Sequence, residues 1–98
     1  MQSAGSAGEF YTPRALTDFM AEIINPKVGE KMADFACGTG GFLASWLKAL
    51  DKKVQTAEDK EEYADSIYGI EKKQFPYMLC VTNMLLHDID SPKVMHDN

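Results

Sequence analysis

The chain has 98 residues, of which 45% are hydrophobic and 26% charged, with 15 acidic against 10 basic side chains and a formal net charge of −5. No apolar run approaches the roughly 20 residues needed to span a bilayer, and Met1 to Gly8 is small and polar without the apolar segment of a secretory signal. This predicts a soluble, cytoplasmic protein with a flexible leader over residues 1–8. With no basic stripe, weak non-specific binding to nucleic acid is expected at physiological salt. Cys37 and Cys80 form no C-x-x-C pair and read as two reduced, partly buried thiols. His87 and His96 lack metal-ligand spacing and read as solvent-facing or capping residues, so no metal is expected.

In chain order, Thr12 can cap a helix whose first turn begins at Pro13, where proline gives up only an already unpaired N–H. Leu16, Phe19, Met20, Ile23 and Ile24 recur at helical spacing and predict its buried face. Asn25-Pro26 ends this helix, and Val28-Gly29 leads to a strand. The short apolar stretch Met32 to Ala36, carrying the single acid Asp34, then meets Gly38, Gly40 and Gly41. An amphipathic run follows through Phe42, Leu43, Trp46, Leu47 and Leu50. That is the pattern of strand, tight turn and helix. Asp51 to Asp65 is highly charged and reads as an exposed loop or short surface helix. Ile67 to Glu71 reads as a second strand, and Gln74 to Leu86 as a helix with Tyr77, Met78, Val81, Met84 and Leu85 inward. Pro76 is acceptable in its first turn. Lys93 to His96 begins a third strand. Two βα units imply parallel strands with right-handed crossovers. In such a sheet ligands bind at the carboxyl ends of the strands, which places the glycine turn and Glu71 on one edge.

The glycine turn narrows the ligand class. Glycines permit positive φ and let a ligand lie against the main chain, while the helix beginning there offers unpaired N–H groups. The dinucleotide pattern G-x-G-x-x-G fails because its last glycine position, counted from Gly38, is Leu43. No Gly-Lys-Ser/Thr tripeptide occurs, and no Lys or Arg cluster is present to hold a pyrophosphate. An acid at the strand end beside a crowded glycine turn suits a nucleoside joined to an amino acid, as in S-adenosylmethionine. A βα turn with no ligand is the plainer alternative.

Asp34 to Phe42 (Asp-Phe-Ala-Cys-Gly-Thr-Gly-Gly-Phe) resembles the D-P-A-C-G-T-G-G-F motif of adenine-N6 DNA methyltransferases, and most of all that of the modification subunits of type I restriction-modification systems. Gly8 to Leu16 resembles the F-x-T-P segment preceding that motif, Tyr68 to Lys73 the acidic second motif, and Asn83 to Asp90 the stretch after it. Phe35 departs from the family, which has proline there. The resemblance implies a Rossmann-like α/β fold, with residues 9–98 supplying about three parallel strands and flanking helices of a seven-stranded methyltransferase sheet. It implies S-adenosylmethionine as cofactor, DNA as substrate, and specificity and restriction subunits as partners.

The expected cofactor contacts are these. Glu71, ending the second strand, can accept both ribose hydroxyls, as the resemblance also implies; alternatively it is a surface acid paired with Lys72 or Lys73. Asp34 contacts the methionine end, fixes the loop, or does both. Gly38, Thr39, Gly40 and Gly41 form the turn itself. Glu9, Phe10, Tyr11, Thr12, Pro13 and Arg14 belong to the segment that, by resemblance, closes over the methionine part; Thr12 can also serve simply as a cap, with Phe10 and Tyr11 as packing residues. Phe42 and Ile70 read as packing around the adenine. By resemblance Asn98, or else Asp97, meets the adenine amino group. The chain has no Asn/Asp-Pro-Pro-aromatic motif, the element that holds a flipped adenine; Asn25-Pro26-Lys27 has one proline and no aromatic. The chain alone is therefore expected to be inactive on DNA, and its unpaired strand edge to favour self-association. The rival readings are another nucleotide-binding Rossmann enzyme and a non-catalytic truncated α/β fragment.

Overall fold

The computed structural model describes residues 12–97. Helix α1 (Arg14–Ile24) leads into β1 (Met32–Asp34), followed by α2 (Gly41–Asp51), α3 (Ala57–Ala64), β2 (Ile67–Glu71), α4 (Gln74–Leu86) and β3 (Val94–His96). The three strands form a parallel sheet in the order β1-β2-β3. Met32 pairs with Ile67 and Asp34 with Gly69 on one side, and Gly69 pairs with Val94 and Glu71 with His96 on the other. Three parallel strands with flanking helices are thus present, and the second strand and the third predicted helix have the extents expected. β1 and β3 each have one neighbour in this sheet.

The core forms where α2 and α4 meet the sheet. Leu43, Leu47 and Leu50 of α2 are fully buried with Ile67, Met84 and Ile89. Each such side chain contributes about 2 kcal/mol through removal of apolar surface from water. Trp46 spans core and polar surroundings: its Nε1–H donates to Ser66 Oγ at 3.1 Å, and that hydroxyl donates to the Tyr63 carbonyl at 2.8 Å. The charged stretch after α2 folds as α3, with Thr56 Oγ1 accepting the Asp59 N–H at 3.0 Å as an N-cap.

Three expectations are corrected. Thr12 is not the cap of α1: Pro13 occupies that position in extended geometry, the helix starts at Arg14, and no side-chain cap is made. The Pro13 carbonyl instead accepts the N–H groups of Leu16 and Thr17, and Thr17 Oγ1 donates to the Arg14 carbonyl. The face of α1 turned inward is Thr17 and Ala21, while Leu16, Phe19, Met20, Ile23 and Ile24 are all exposed. The inward face is small and polar because α1 packs closely on α2, with Thr17 Oγ1 2.7 Å from Ser45 Oγ and Ser45 Oγ donating to Asp18 Oδ1 at 2.5 Å. On α4, Pro76, Cys80 and Met84 are buried and Tyr77 and Val81 partly so, but Met78 and Leu85 face outward.

Candidate functional site

The connection from β1 to α2 is held from several directions. Asp34 Oδ1 accepts the Ala36 N–H at 3.1 Å, which turns the chain at the strand end. The Cys37 N–H donates to the Ile70 carbonyl at 3.0 Å, and the Gly40 N–H to the Cys37 carbonyl at 2.8 Å. Gly38 donates its N–H to Glu71 Oε1 at 2.8 Å, so the loop is tied to the end of β2 by a charged acceptor. From α4, Asn83 Nδ2 donates to the Thr39 carbonyl at 3.4 Å.

The three glycines answer different demands. Gly38 has φ +57° and open space where a Cβ would stand. Gly40 has φ +90°, and a Cβ there would lie 2.9 Å from Cys80 Sγ; this glycine is required by packing as well as by backbone. Gly41 opens α2 without a positive φ, and a Cβ would meet nothing within 4 Å. No neighbouring group excludes a side chain from Gly41, which instead faces a cavity.

That cavity has a volume of about 350 Å³, and its lining includes Thr12, Asp34, Cys37, Gly38, Thr39, Gly41 and Phe42. The volume lies within the range of small-molecule sites. Among the described residues no lysine or arginine lines it, and they offer a carboxylate and main-chain groups but no side-chain cation for a pyrophosphate. Neither Pro13, the cap position of α1, nor Arg14, its first residue, lines the cavity, and Gly40 is buried. Glu71 is reached through Gly38 rather than across the cavity. Its Oε2 accepts the Lys73 main-chain N–H at 2.9 Å. A carboxylate has about four acceptor positions, and the Gly38 and Lys73 main-chain amides each take one of them. Ile70 supplies a carbonyl to the loop. Asp97 donates its N–H to the Glu71 carbonyl at 3.0 Å, beside the same strand end. Glu9, Phe10, Tyr11 and Asn98 lie outside the described residues.

Two contributors have no local signature in the sequence. Asn83 and Cys80 stand one turn apart on α4 and reach the loop across more than forty residues of chain. Cys80 Sγ is 3.7 Å from Cys37 Sγ, and both thiols are free and buried. His96 Nε2 lies 3.0 Å from the Lys72 carbonyl, and its ring stacks on Tyr77 with centroids 5.1 Å apart. Among the described residues, no group of three or more His, Cys, Asp or Glu could hold a metal ion, and no helix is long and apolar enough to cross a membrane.

A parallel sheet with flanking helices and a glycine turn at its carboxyl edge defines a Rossmann-like α/β protein. The chain belongs to the N-6 DNA methylase family, whose model matches residues 1–98. It is 57% identical over 100 residues to the type I restriction enzyme EcoEI methylase subunit of Escherichia coli, covering 100% of this chain and 20% of that protein. A modification subunit assigned to a type I restriction enzyme from Vibrio vulnificus YJ016 superposes with a TM-score of 0.86 at 44% identity, over 98% of this chain and 20% of that one. A chain from a type I R-M system, studied for complex assembly and conformational transition, gives a TM-score of 0.87 at 42% identity, over 94% and 19%. The chain therefore spans about a fifth of the length of these relatives.

Proposed function

We propose that the chain is the S-adenosylmethionine-binding portion of a DNA adenine-N6 methyltransferase, the modification subunit of a type I restriction-modification system. The observation that carries this reading is the cavity under the glycine turn. It combines an acid at the strand end, main chain open at Gly38 and Gly41, no lysine or arginine among the described residues of its lining, and the Glu71 carboxylate one hydrogen bond away. These residues fit a nucleoside carrying an amino acid better than a dinucleotide. Family membership and the similarity to type I methylase subunits support the same cofactor.

In this reading Glu71 receives the ribose hydroxyls at further acceptor positions of its carboxylate while still bracing Gly38. Asp34, with Thr12 opposite, orients the methionine end, and the first-turn amides of α2 receive polar groups. When bound, the cofactor supplies an electrophilic methyl group. Because the sequence has no Asn/Asp-Pro-Pro-aromatic motif, these residues hold the donor without holding the adenine, and the chain by itself leaves DNA unmethylated. DNA, and the specificity and restriction subunits, are partners of the whole protein, which works in the cytoplasm. The exposed faces of α1 and α4 and the single-neighbour strands β1 and β3 favour self-association of the isolated chain; sedimentation as a monomer at all concentrations would count against that.

Calorimetric titration with S-adenosylmethionine tests the reading. Saturable binding is expected, weakened at least about tenfold by Glu71→Ala, since hydrogen bonds to a charged group are worth roughly 1.5–3 kcal/mol each. Because Glu71 also braces the loop, Glu71→Gln is measured alongside; it keeps an acceptor for Gly38 and is expected to fall between. No binding to a chain that melts cooperatively would overturn the proposal, and saturable binding of NADH would transfer it to the oxidoreductase class.

A further inference from the structure

The two thiols beneath the glycine turn are positioned for chemistry of their own. Cys37 lines the cavity and retains 5% exposure, while Cys80, fully buried on α4, stands directly behind it with the sulfurs 3.7 Å apart. Both are confined: a Cβ on Gly69 would lie 3.0 Å from Cys37 Sγ, and one on Gly40 2.9 Å from Cys80 Sγ. The pair thus occupies the space between the central strand, the loop and α4. We propose that Cys37 and Cys80 form an oxidisable dithiol, entered through the cavity at Cys37, whose cross-linking and occupation of the cavity oppose one another. This rests on the reading of the cavity as a cofactor site only for what occupies it.

The order of events follows from access and charge. In this proposal a small-molecule disulfide enters at Cys37, which lines the cavity, because Cys80 is fully buried and does not line it. The hydrogen bond from Cys80 holds the Cys37 thiol below its ordinary pKa, while sharing that proton and burial push the Cys80 thiol up. Cys37 is therefore the attacking sulfur. Its thiolate displaces one thiolate from the reagent and forms a mixed disulfide. Cys80 then transfers its proton and attacks Cys37 Sγ, expelling the second thiol. Two protein thiols become one disulfide, and one reagent disulfide becomes two thiols. Closing the sulfurs from 3.7 Å to about 2.05 Å draws Cys37 toward α4. Cys37 makes the main-chain bonds to Ile70 and Gly40 and adjoins Gly38, so the shift distorts the lining of the cavity. By linkage, an occupant that requires the reduced loop must also resist its oxidation.

The test treats the folded chain with hydroxyethyl disulfide, quenches with an alkylating reagent, and reads intact and peptide mass. The expected product has lost two hydrogens and links the peptides of Cys37 and Cys80, and Cys80→Ala stops at a mixed disulfide on Cys37. Cys80→Ser, which keeps near-native volume, serves if the alanine variant fails to melt cooperatively. Both thiols still reduced after treatment of the native chain, read by alkylation in denaturant, or a persistent mixed disulfide with Cys80 still free, would overturn the proposal. Calorimetry on the cross-linked chain is expected to give at least about tenfold weaker S-adenosylmethionine binding, restored by reductant. Unchanged binding would overturn the opposition between the two states. Failure of the reduced chain to bind would instead strike the cofactor assignment and leave the mass result standing.

Discussion

The two edges of the sheet are built on different terms. At the amino ends of the strands, the Asp65 carboxylate sits between Lys31, which precedes β1, and Lys93, which precedes β3. Lys93 also lies 5.1 Å from the centre of the Tyr68 ring. Just inside, Trp46, Ser66 and Tyr63 satisfy one another. Asp65, Lys31 and Lys93 thus find their partners within the chain. At the carboxyl ends Gly38, Thr39 and Gly41 line a cavity, and Glu71 holds two main-chain amides beside it. One edge finishes the fold internally, whereas the other is held in shape while keeping polar groups available. That asymmetry, more than the glycine count, supports the carboxyl edge as the proposed working edge.

The sharpest way to break the working edge is at its most constrained glycine. Gly40→Ala combines φ +90° with a Cβ 2.9 Å from the Cys80 sulfur, and that sulfur is buried against Cys37. Strain and overpacking together predict a loss of about 2–4 kcal/mol, read by denaturant unfolding. Cofactor binding is expected to be lost with it.

The neighbouring residue separates function from fold. Gly41 is helical, and a Cβ on it meets nothing in the chain, so Gly41→Ala is expected to leave stability unchanged or raise it by up to about 1 kcal/mol. The new methyl group would face the cavity that Gly41 lines, so S-adenosylmethionine affinity is expected to fall by about tenfold. A variant that is stabilised and still binds normally would remove Gly41 from the site.

The sequence made the elements legible wherever local chemistry decides them. Ile67–Glu71 and Gln74–Leu86 have the predicted limits because β-branched and helical periodicities are bounded by turns. The loop and its acid were visible because three glycines in four positions have few structural uses. What covers an apolar face was not visible. The stripe from Leu16 to Ile24 has clear helical spacing, yet Thr17 and Ala21 are the residues that pack, because close helix approach favours small side chains. Met78 and Leu85 were misplaced for a related reason: periodicity fixes a helical face but not which side of a wide apolar stripe meets the sheet. The Cys37–Cys80 and Asn83–Thr39 contacts join residues more than forty positions apart. They depend on the βα crossover that carries α4 under the loop, and no local pattern encodes that placement.

The closed edge yields the smallest effect, and its sign distinguishes it from the open one. Hydrogen bonds from Lys93 and Lys31 hold the Asp65 carboxyl down to about 2, from an ordinary value of 3.8. A carboxyl whose folded pKa is depressed binds fewer protons in the native state than in the unfolded one. Its contribution is therefore complete above about pH 4 and is lost as the pH falls toward about 2. The three groups are exposed, and solvent screening keeps the effect small and salt-sensitive. Asp65→Asn is expected to lower the melting temperature slightly at neutral pH and to flatten its acid limb, while leaving cofactor affinity untouched. If Asp65→Asn weakened binding as Glu71→Ala does, the two edges would be mechanically coupled through β2, and the division of labour between them would fail.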